Sequence, residues 1–242
     1  MSGELLRRHD GHVTRLTLHR PEKSNALSAS LVEALLDAVD YAYTDGTRLL
    51  VIEGEGRHFS AGFDFTGFES DSDGDLVLRF IRIETLLQRL YHAPFATVAL
   101  SHGRVFGAGA DIVASCSVRV AEPETTFRMP GLRFGVVLGT RRLMHRVGAD
   151  RARALLSASA TFSSQEAKDI GFLTHVKPRA EWTDLVESLR RDAETLSLTA
   201  TRALYERTVV DTRADDMSAL ATSVSVPGLK ERIRIYRESM KG

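Results

Sequence analysis

Apolar residues in the first part of the chain recur at strand spacing and then at helix spacing. The segment His12–His19 alternates apolar with polar residues and is followed by Pro21, which predicts a strand that ends there. Apolar positions at helical period then run from Ser30 to about Tyr43, and Ser30 and Glu33 have the spacing of a capping box. The pattern therefore predicts a strand followed by a helix.

The same order of elements is repeated further along the chain. Arg48–Ile52 is apolar without alternation, as expected for a strand that is buried on both faces. A polar loop at Glu69–Gly74, a helix from about Asp75 to Tyr91 and an apolar strand at Phe95–Leu100 complete a second cycle. This alternation predicts an α/β fold with parallel crossovers.

The last part of the chain has helical signals and few strand signals. Beyond Glu181 the sequence is charged and helical. We expect residues 1–180 to form the α/β core, and residues 181–242 to form a helical oligomerisation region that packs on the core or on a neighbouring subunit. Before that region, helices are predicted at Leu143–Val147, Arg151–Leu156 and Ser163–Ile170, the last with a capping box.

Composition and charge exclude several classes of protein. With 242 residues, of which 43% are hydrophobic, the chain can bury one large core. Lys and Arg together number 32, as do Asp and Glu, so no net charge attracts nucleic acid or an anionic membrane surface. The N-terminal segment has no apolar core of a signal peptide, and no apolar run is long enough to cross a bilayer. The one cysteine, Cys116, cannot form an internal disulfide, so we expect a soluble, cytoplasmic protein in which Cys116 is a small buried residue.

Two glycine-containing turns carry the candidate chemistry. His58–Asp64 follows one predicted buried strand, and Gly103–Asp111 follows the next. Glycines at such turns let the backbone bend sharply and leave N–H groups free to point at a ligand. Two such turns can bring their N–H groups to one oxygen, and a helix that begins near Ala108 adds its positive end. Glycines that only allow close packing explain each turn equally well, whereas a dinucleotide-binding loop does not fit the glycine spacing.

With four further segments, these turns resemble the crotonase superfamily, the enoyl-CoA hydratase/isomerase family, over residues 13–176. Phe59–Asp64 is similar to the family's F-x-A-G-x-D turn, and Gly103–Asp111 to its G-x-x-x-G-G-G-x-E turn. The resemblance implies a ClpP/crotonase fold of repeated ββα units with a C-terminal helical appendage, assembled as a homotrimer or a dimer of trimers. It also implies an acyl-CoA thioester substrate, with coenzyme A as part of the substrate and no separate cofactor. The further segments are Arg20–Leu27, Phe127–Gly131, Thr140–Leu143 and Phe162–Gly171.

The resemblance also implies roles for individual residues. The N–H groups of Phe63 and Ala108 would form an oxyanion hole for the thioester carbonyl, and Asp111 would act as acid and base. Tyr236 and Lys241 would reach the coenzyme A of a neighbouring subunit. Near the adenine and pantetheine arm of the bound coenzyme A would lie Lys23, Ser24, Ala26, Ala61 and Asp64.

Three departures from the family pattern bear on the reaction. Family hydratases use two glutamates to add water across a double bond, and here Asp111 takes the first place and Gly131 the second. Glycine cannot transfer a proton, and the Asp111 side chain is shorter than glutamate by about 1.5 Å, a displacement that can cost about 10² in rate. Alternatively, Asp111 is a carboxylate that the helix dipole stabilises. The loop Gly135–Gly139, which lines the acyl pocket in the family, is also shortened, so we expect a different acyl group.

Other polar residues near these motifs have structural alternatives. Arg128 is adjacent to the place of the missing glutamate, and either contacts a carboxylate-bearing substrate or is solvated or ion-paired. His58, His102 and His145 are candidate bases, although a structural hydrogen bond explains His102 and packing explains His145. The eight histidines lack the spacing of metal ligands, and no G-x-S-x-G turn is present, so we expect neither a metal site nor a serine hydrolase.

Two function hypotheses follow from these residues. The first is an enzyme similar to enoyl-CoA hydratases and isomerases, in which two backbone amides stabilise a thioester enolate and Asp111 moves the proton. A single carboxylate suits double-bond isomerisation better than hydration, and decarboxylation or C–C bond hydrolysis stays open. The second is an acyl-CoA binding protein with little catalysis, which the missing second glutamate suggests.

Overall fold

Two sheets are present in the computed structural model, which describes residues 3–240. The strands, in chain order, are β1 (Leu5–Asp10), β2 (Val13–Leu18), β3 (Leu49–Gly54), β4 (Ala96–Ser101), β5 (Arg104–Phe106), β6 (Val118–Ala121), β7 (Thr126–Arg128), β8 (Phe162–Ser163) and β9 (His175–Val176). The main sheet has the order β1-β2-β3-β4-β6-β9, in which β1 and β2 pair antiparallel and the other neighbours pair parallel. The strands β5, β7 and β8 form the second sheet.

Helices alternate with strands or pairs of consecutive strands along most of the chain, and after β9 helices follow one another to the end of the described residues. This alternation confirms the α/β class. The α-helices are α1 (Ala29–Ala42), α2 (Asp73–Tyr91), α3 (Ala108–Ser115), α4 (Thr140–Val147), α5 (Ala149–Ala158), α6 (Ser164–Asp169), α7 (Trp182–Thr195), α8 (Leu198–Thr208), α9 (Arg213–Val224) and α10 (Leu229–Ser239).

Helices cover both faces of the main sheet, which explains the apolar run in β3. Leu50 and Ile52 lie in the larger core, whereas Leu49 and Val51 pack in a second cluster with Trp182 of α7. Successive side chains of a strand point to opposite faces, so both faces of β3 are buried. Because β3 and β4 are parallel neighbours, their carboxyl ends lie side by side, and the two glycine turns follow these ends.

The start of α1 differs from the prediction, and the capping box at Ser30 and Glu33 is wrong. The N-cap is Ser28, whose hydroxyl accepts a hydrogen bond from Leu31 N at 3.0 Å. The Ser30 hydroxyl instead donates to Glu4 Oε2 at 2.5 Å. Two serines stand close together here, and the extended backbone of Ser28 makes that residue the cap.

The last helices are joined to the main core. The predicted helical tail is present, and the two final helices, α9 and α10, contribute Leu220, Val224, Leu229 and Ile233 to the same cluster as α1 and α2. The division into a core of residues 1–180 and an oligomerisation region of residues 181–242 stays a prediction. Among residues 3–240, no helix combines the length and apolar character needed to span a bilayer. Cys116 is buried, as expected.

Candidate active site

The two glycine turns pack directly against each other. Phe106 N donates to Ser60 O at 3.0 Å, which ties the second turn to the first. Gly62 has φ +84°, and a Cβ added there would lie 2.5 Å from Phe106 O and 3.0 Å from Ala108 N. Only glycine fits at this position, because both the conformation and the close approach exclude a side chain. The contact brings Phe63, the next residue, beside the start of α3.

The backbone amides of Phe63 and Ala108 are free to bind a ligand. Within residues 3–240, neither N–H donates to another backbone group, and Ala108 is the first residue of α3, where no intrahelical acceptor exists. The N-cap Gly107 offers no side-chain oxygen to them. Phe63 and Ala108 both line a cavity of about 140 Å³. Both amides thus belong to residues of the cavity lining, and the positive end of α3 lies at Ala108.

Asp111 lies in the first turn of α3 and lines the same cavity. Its side chain is buried, and within the described residues its Oδ1 has no hydrogen-bond partner. Burial raises the pKa of Asp111 to about 8, an effect that Arg142 opposes and Glu84 reinforces. The carboxyl group is therefore mostly protonated at neutral pH and can exchange a proton with a ligand.

Space for the Asp111 carboxyl is made by Gly139, the N-cap of α4. Gly139 has φ +64°, and a Cβ added there would overlap Oδ1 of Asp111. The shortened loop of which Gly139 is the last residue contributes Val136 and Leu138 to the cavity wall. Thr140 follows and also lines the cavity, with its hydroxyl buried and unpaired within residues 3–240.

The position of the second family glutamate, Gly131, also belongs to the lining. Gly131 follows Pro130 in a short 3₁₀ helix and brings no side chain to the cavity. Arg128, at the end of β7, also belongs to the lining. Asp111 is consequently the one carboxyl group among the described residues that line this cavity.

The residues expected near coenzyme A divide into two groups. Ser24 O accepts a hydrogen bond from Ala61 N at 2.9 Å, so the loop after β2 is attached to the first turn. Lys23 and Ala61 are exposed, Ser24 is partly buried and Ala26 is buried.

Asp64, in contrast, is held within the protein. Its carboxylate accepts hydrogen bonds from Arg20 Nη1 at 2.9 Å and from Thr66 N at 2.8 Å. Although burial acts to raise the pKa of Asp64, the bonds from Thr66 and the guanidinium of Arg20 hold it below its usual range. Asp64 is not part of the cavity lining and anchors the turn to the loop after β2.

The candidate histidine bases lie outside the cavity lining. His102 Nε2 is 2.9 Å from Gly56 O, and His58 Nδ1 accepts a hydrogen bond from Arg104 N at 3.1 Å. His145 is 3.4 Å from the hydroxyl of Tyr91. Among residues 3–240, no group of three or more His, Cys, Asp and Glu side chains is arranged to hold a metal ion.

Sequence reasoning missed part of the lining. Thr140 belongs to the recognised Thr140–Leu143 segment and Gly139 to the shortened loop before it, but sequence reasoning assigned neither residue a role beside Asp111. Tyr236 lies in the lining of its own chain's cavity, whereas Lys241, expected to act with it, falls outside the described residues. Aromatic side chains that the sequence did not single out complete the wall: Phe65, Phe80 and Phe134.

Comparisons with known proteins identify the family and the fold. The family model described as enoyl-CoA hydratase/isomerase matches residues 8–232. A crystal structure from Bordetella parapertussis, described as a "putative enoyl-CoA hydratase/isomerase", superposes with a TM-score of 0.95 at 48% identity. The alignment covers 96% of this chain and 98% of that one, so the crotonase-like fold predicted from the motifs is confirmed.

Two curated relatives have different names. A Bacillus subtilis protein named "probable enoyl-CoA hydratase" is 34% identical over 74% of this chain and 72% of its own length. A Pongo abelii protein named ethylmalonyl-CoA decarboxylase is 30% identical over 75% of this chain and 62% of its own length. The shared fold therefore occurs in relatives named for two different reactions.

Proposed function

This chain belongs to the enoyl-CoA hydratase/isomerase family, and we propose that it forms and reprotonates the enolate of an acyl-CoA thioester. In this proposal the amides of Phe63 and Ala108 bind the thioester oxygen, and Asp111 carries the proton. The observation that supports it most is a single buried carboxyl group in a cavity that also contains two free backbone donors. Coenzyme A enters as part of the substrate, beside the exposed Lys23 and Ala61.

Double-bond isomerisation is the reaction that one carboxyl group can complete. Ionised Asp111 takes a proton from a carbon next to the double bond, and the C–H electron pair moves onto the thioester oxygen as an enolate. The two N–H groups stabilise that charge. Asp111 then returns the proton to a different carbon, and the double bond shifts. Hydration needs a second group to activate water, and Gly131 supplies none.

Decarboxylation is a second candidate, because burial keeps Asp111 mostly protonated at neutral pH. The bond between the α carbon and a carboxylate breaks, carbon dioxide leaves, and the electron pair becomes the same enolate. Protonated Asp111 then gives its proton to the α carbon and regains one from solvent. The relative named ethylmalonyl-CoA decarboxylase belongs to the same family of folds.

The pH dependence of turnover distinguishes the two roles of Asp111. As the base of an isomerase, Asp111 must be ionised, so the rate with a 3-enoyl-CoA should rise as the pH increases through about 8. As the acid of a decarboxylase, Asp111 must be protonated, so the rate with an alkylmalonyl-CoA should fall through the same range. Asp111→Asn should lower either rate by at least about 10².

A matched control is Asp150→Asn, which changes an aspartate in the first turn of another helix, α5. Its side chain is exposed and lies outside the cavity. Normal turnover in Asp111→Asn would remove that carboxyl group from the mechanism. Binding of acyl-CoA without turnover of a 3-enoyl, alkylmalonyl or crotonyl thioester would favour the binding protein instead.

A further inference from the structure

Arg128 brings a positive charge to the active cavity that no carboxylate of the described residues balances. Its Nε donates to Ser159 O at 3.0 Å, and its Nη1 lies 3.8 Å from the sulfur of Met240. Met240 and Arg128 both line the cavity, and the carboxyl group in that lining, Asp111, is mostly neutral. The guanidinium therefore lies beside Met240, another residue of the lining, and the thioether is the partner of its Nη1.

Capping of helix α5 explains only part of this arrangement. The carbonyl of Ser159 lies at the C-terminal end of α5, where a cation is favourable, and Arg133 Nη2 binds the neighbouring Ala158 O at 2.8 Å. The hydrogen bond from Arg128 to Ser159 O uses Nε of Arg128 and fixes the plane of the Arg128 guanidinium. A thioether is a weak acceptor, so the two Nη groups keep most of their capacity to bind an anion. A fixed guanidinium can bind a carboxylate through two parallel hydrogen bonds.

We propose that Arg128 binds a carboxylate carried by the acyl group, so that the preferred substrates are dicarboxylic acyl-CoA thioesters. This inference rests on the proposed function, because it assumes that the cavity holds the acyl group. An ion pair with arginine stabilises a carboxylate and opposes its loss as carbon dioxide. The carboxylate at Arg128 is thus a retained group at the far end of the acyl chain, which fits isomerisation better than decarboxylation.

Binding of saturated acyl-CoA thioesters in matched pairs tests the proposal. Calorimetry would compare succinyl- with butyryl-CoA, glutaryl- with pentanoyl-CoA, and adipyl- with hexanoyl-CoA. Each pair has the same coenzyme A and chain length and differs in the terminal carboxylate. We expect at least one dicarboxylic member to bind about ten- to a hundredfold more tightly than its neutral partner. In Arg128→Gln that ratio should fall to about one, and Arg128→Lys should restore only part of it.

Arg133→Gln is the matched control, because Arg133 binds the same helix end and is not part of the cavity lining. It should leave the binding ratio unchanged. A ratio near one in the parent protein for every pair, or an unchanged ratio in Arg128→Gln, would overturn the proposal. So would an equal loss for both members of a pair, because Arg128 would then contact coenzyme A rather than the acyl group.

These measurements separate this inference from the proposed function. The saturated thioesters have no double bond to move, so the binding ratio does not depend on turnover. A normal ratio with no turnover of any unsaturated thioester would remove the proposed reaction and keep the carboxylate site. Turnover of neutral substrates without a binding preference would keep the proposed reaction and remove the carboxylate site.

Discussion

Gly139 and Asp111 share one small space at the candidate active site. The carboxyl group of Asp111 lies where the side chain of any other residue at position 139 would begin. The positive φ of Gly139 also favours glycine. Two residues that are distant in the sequence thus depend on each other, and the position of the candidate acid is set by a residue with no chemistry of its own.

We expect Gly139→Ala to lower turnover by at least about 10², because its methyl group displaces the Asp111 carboxyl. Gly148→Ala is the control: it also has a positive φ, of +82°, but no atom within 4 Å of the added methyl group. The control should lose stability through backbone strain and keep its activity. Steady-state kinetics of both variants decides this, and equal activities would show that Asp111 needs no room at Gly139.

Burial of Asp111 should make the stability of the fold depend on pH. Its pKa is about 8 in the folded state and returns to about 4 when the chain unfolds. Between these values the folded state binds more protons, so the stabilising contribution is complete below about pH 4 and is lost as the pH rises towards about 8. Asp111→Asn removes this loss. Over this pH range its free energy of unfolding should increase relative to that of the parent protein by up to about 1.4 kcal/mol per pH unit.

Urea unfolding of both proteins at a series of pH values measures that difference. Carboxyl groups whose pKa is lowered, such as those of Glu4 and Asp64, act equally in both proteins and cancel. A difference in the free energy of unfolding that stays constant with pH would mean that Asp111 is ionised in the folded protein.

The sequence predicts the site residues that belong to a local motif. Phe63, Ala108 and Asp111 stand in two recognisable turns, and all three line one cavity. For a catalytic Asp111 the sequence predicts a pKa raised by burial, and the structure agrees. The sequence does not predict the opposing effects of Arg142 and Glu84, because these residues come from other elements. Nor does it predict that Asp64 is tied to Arg20, since that contact depends on how the loop after β2 folds back.

At the scale of elements, the site depends on the start of α3. Helix α3 begins where the second glycine turn ends, and its first N–H groups have no intrahelical acceptor. The main sheet places this helix start beside the first turn, because β3 and β4 are parallel neighbours. In the proposed function these donors are in place before a ligand arrives, so their reorganisation would cost little.

Ala108→Pro tests the contribution of one of these donors. Proline at the first position of a helix is tolerated and removes the N–H group, so we expect the rate to fall by about 10²–10³ in a folded protein. Ala149→Pro is closely matched, because Ala149 is the first residue of α5 and also follows a glycine. That control should keep full activity. Circular dichroism checks folding, and normal turnover in folded Ala108→Pro would exclude this amide.

Elements with a strong apolar pattern were the most predictable. The buried strands β3 and β4 and the amphipathic helices were found from the sequence, whereas β1 was not, because nearly all its side chains are exposed. The short strands β5, β8 and β9 contain too few residues to form a pattern. The predicted capping box at Ser163 and Glu166 is confirmed. The N-cap of α1 is Ser28 and not Ser30, because residue spacing alone does not reveal which serine has an extended backbone.

At the scale of the molecule, one buried ion cluster joins helices from both sides of the predicted boundary at residue 180. Arg142 of α4 donates to both carboxylate oxygens of Glu84 of α2, with the contact to Oε1 at 2.9 Å. Arg142 also lies 3.2 Å from Asp216 of α9. Because the Arg142 and Glu84 side chains are 1% exposed, this pair is shielded from solvent. Assembly into trimers, or dimers of trimers, stays a prediction.

Glu84→Gln should destabilise the fold by about 3–5 kcal/mol, because it leaves the charge of Arg142 buried and only partly compensated. The same change should lower the pKa of Asp111, since the negative charge of Glu84 raises it and the charge of Arg142 lowers it. The midpoint of the pH–rate profile should therefore move to lower pH in the protein that remains folded. Urea unfolding and the pH–rate profile measure the two effects separately.

The exposed pair of Asp150 and Arg153 gives the comparison for Glu84→Gln. Asp150→Asn breaks an ion pair of similar length, 2.8 Å. The Arg153 side chain is 77% exposed and that of Asp150 is 98% exposed, so the unfolding midpoint should not change. A loss of stability in Glu84→Gln with an unmoved pH midpoint would mean that the cluster only holds the helices together. A moved midpoint would show that this ion cluster, which lies outside the cavity lining, contributes to the pKa of Asp111.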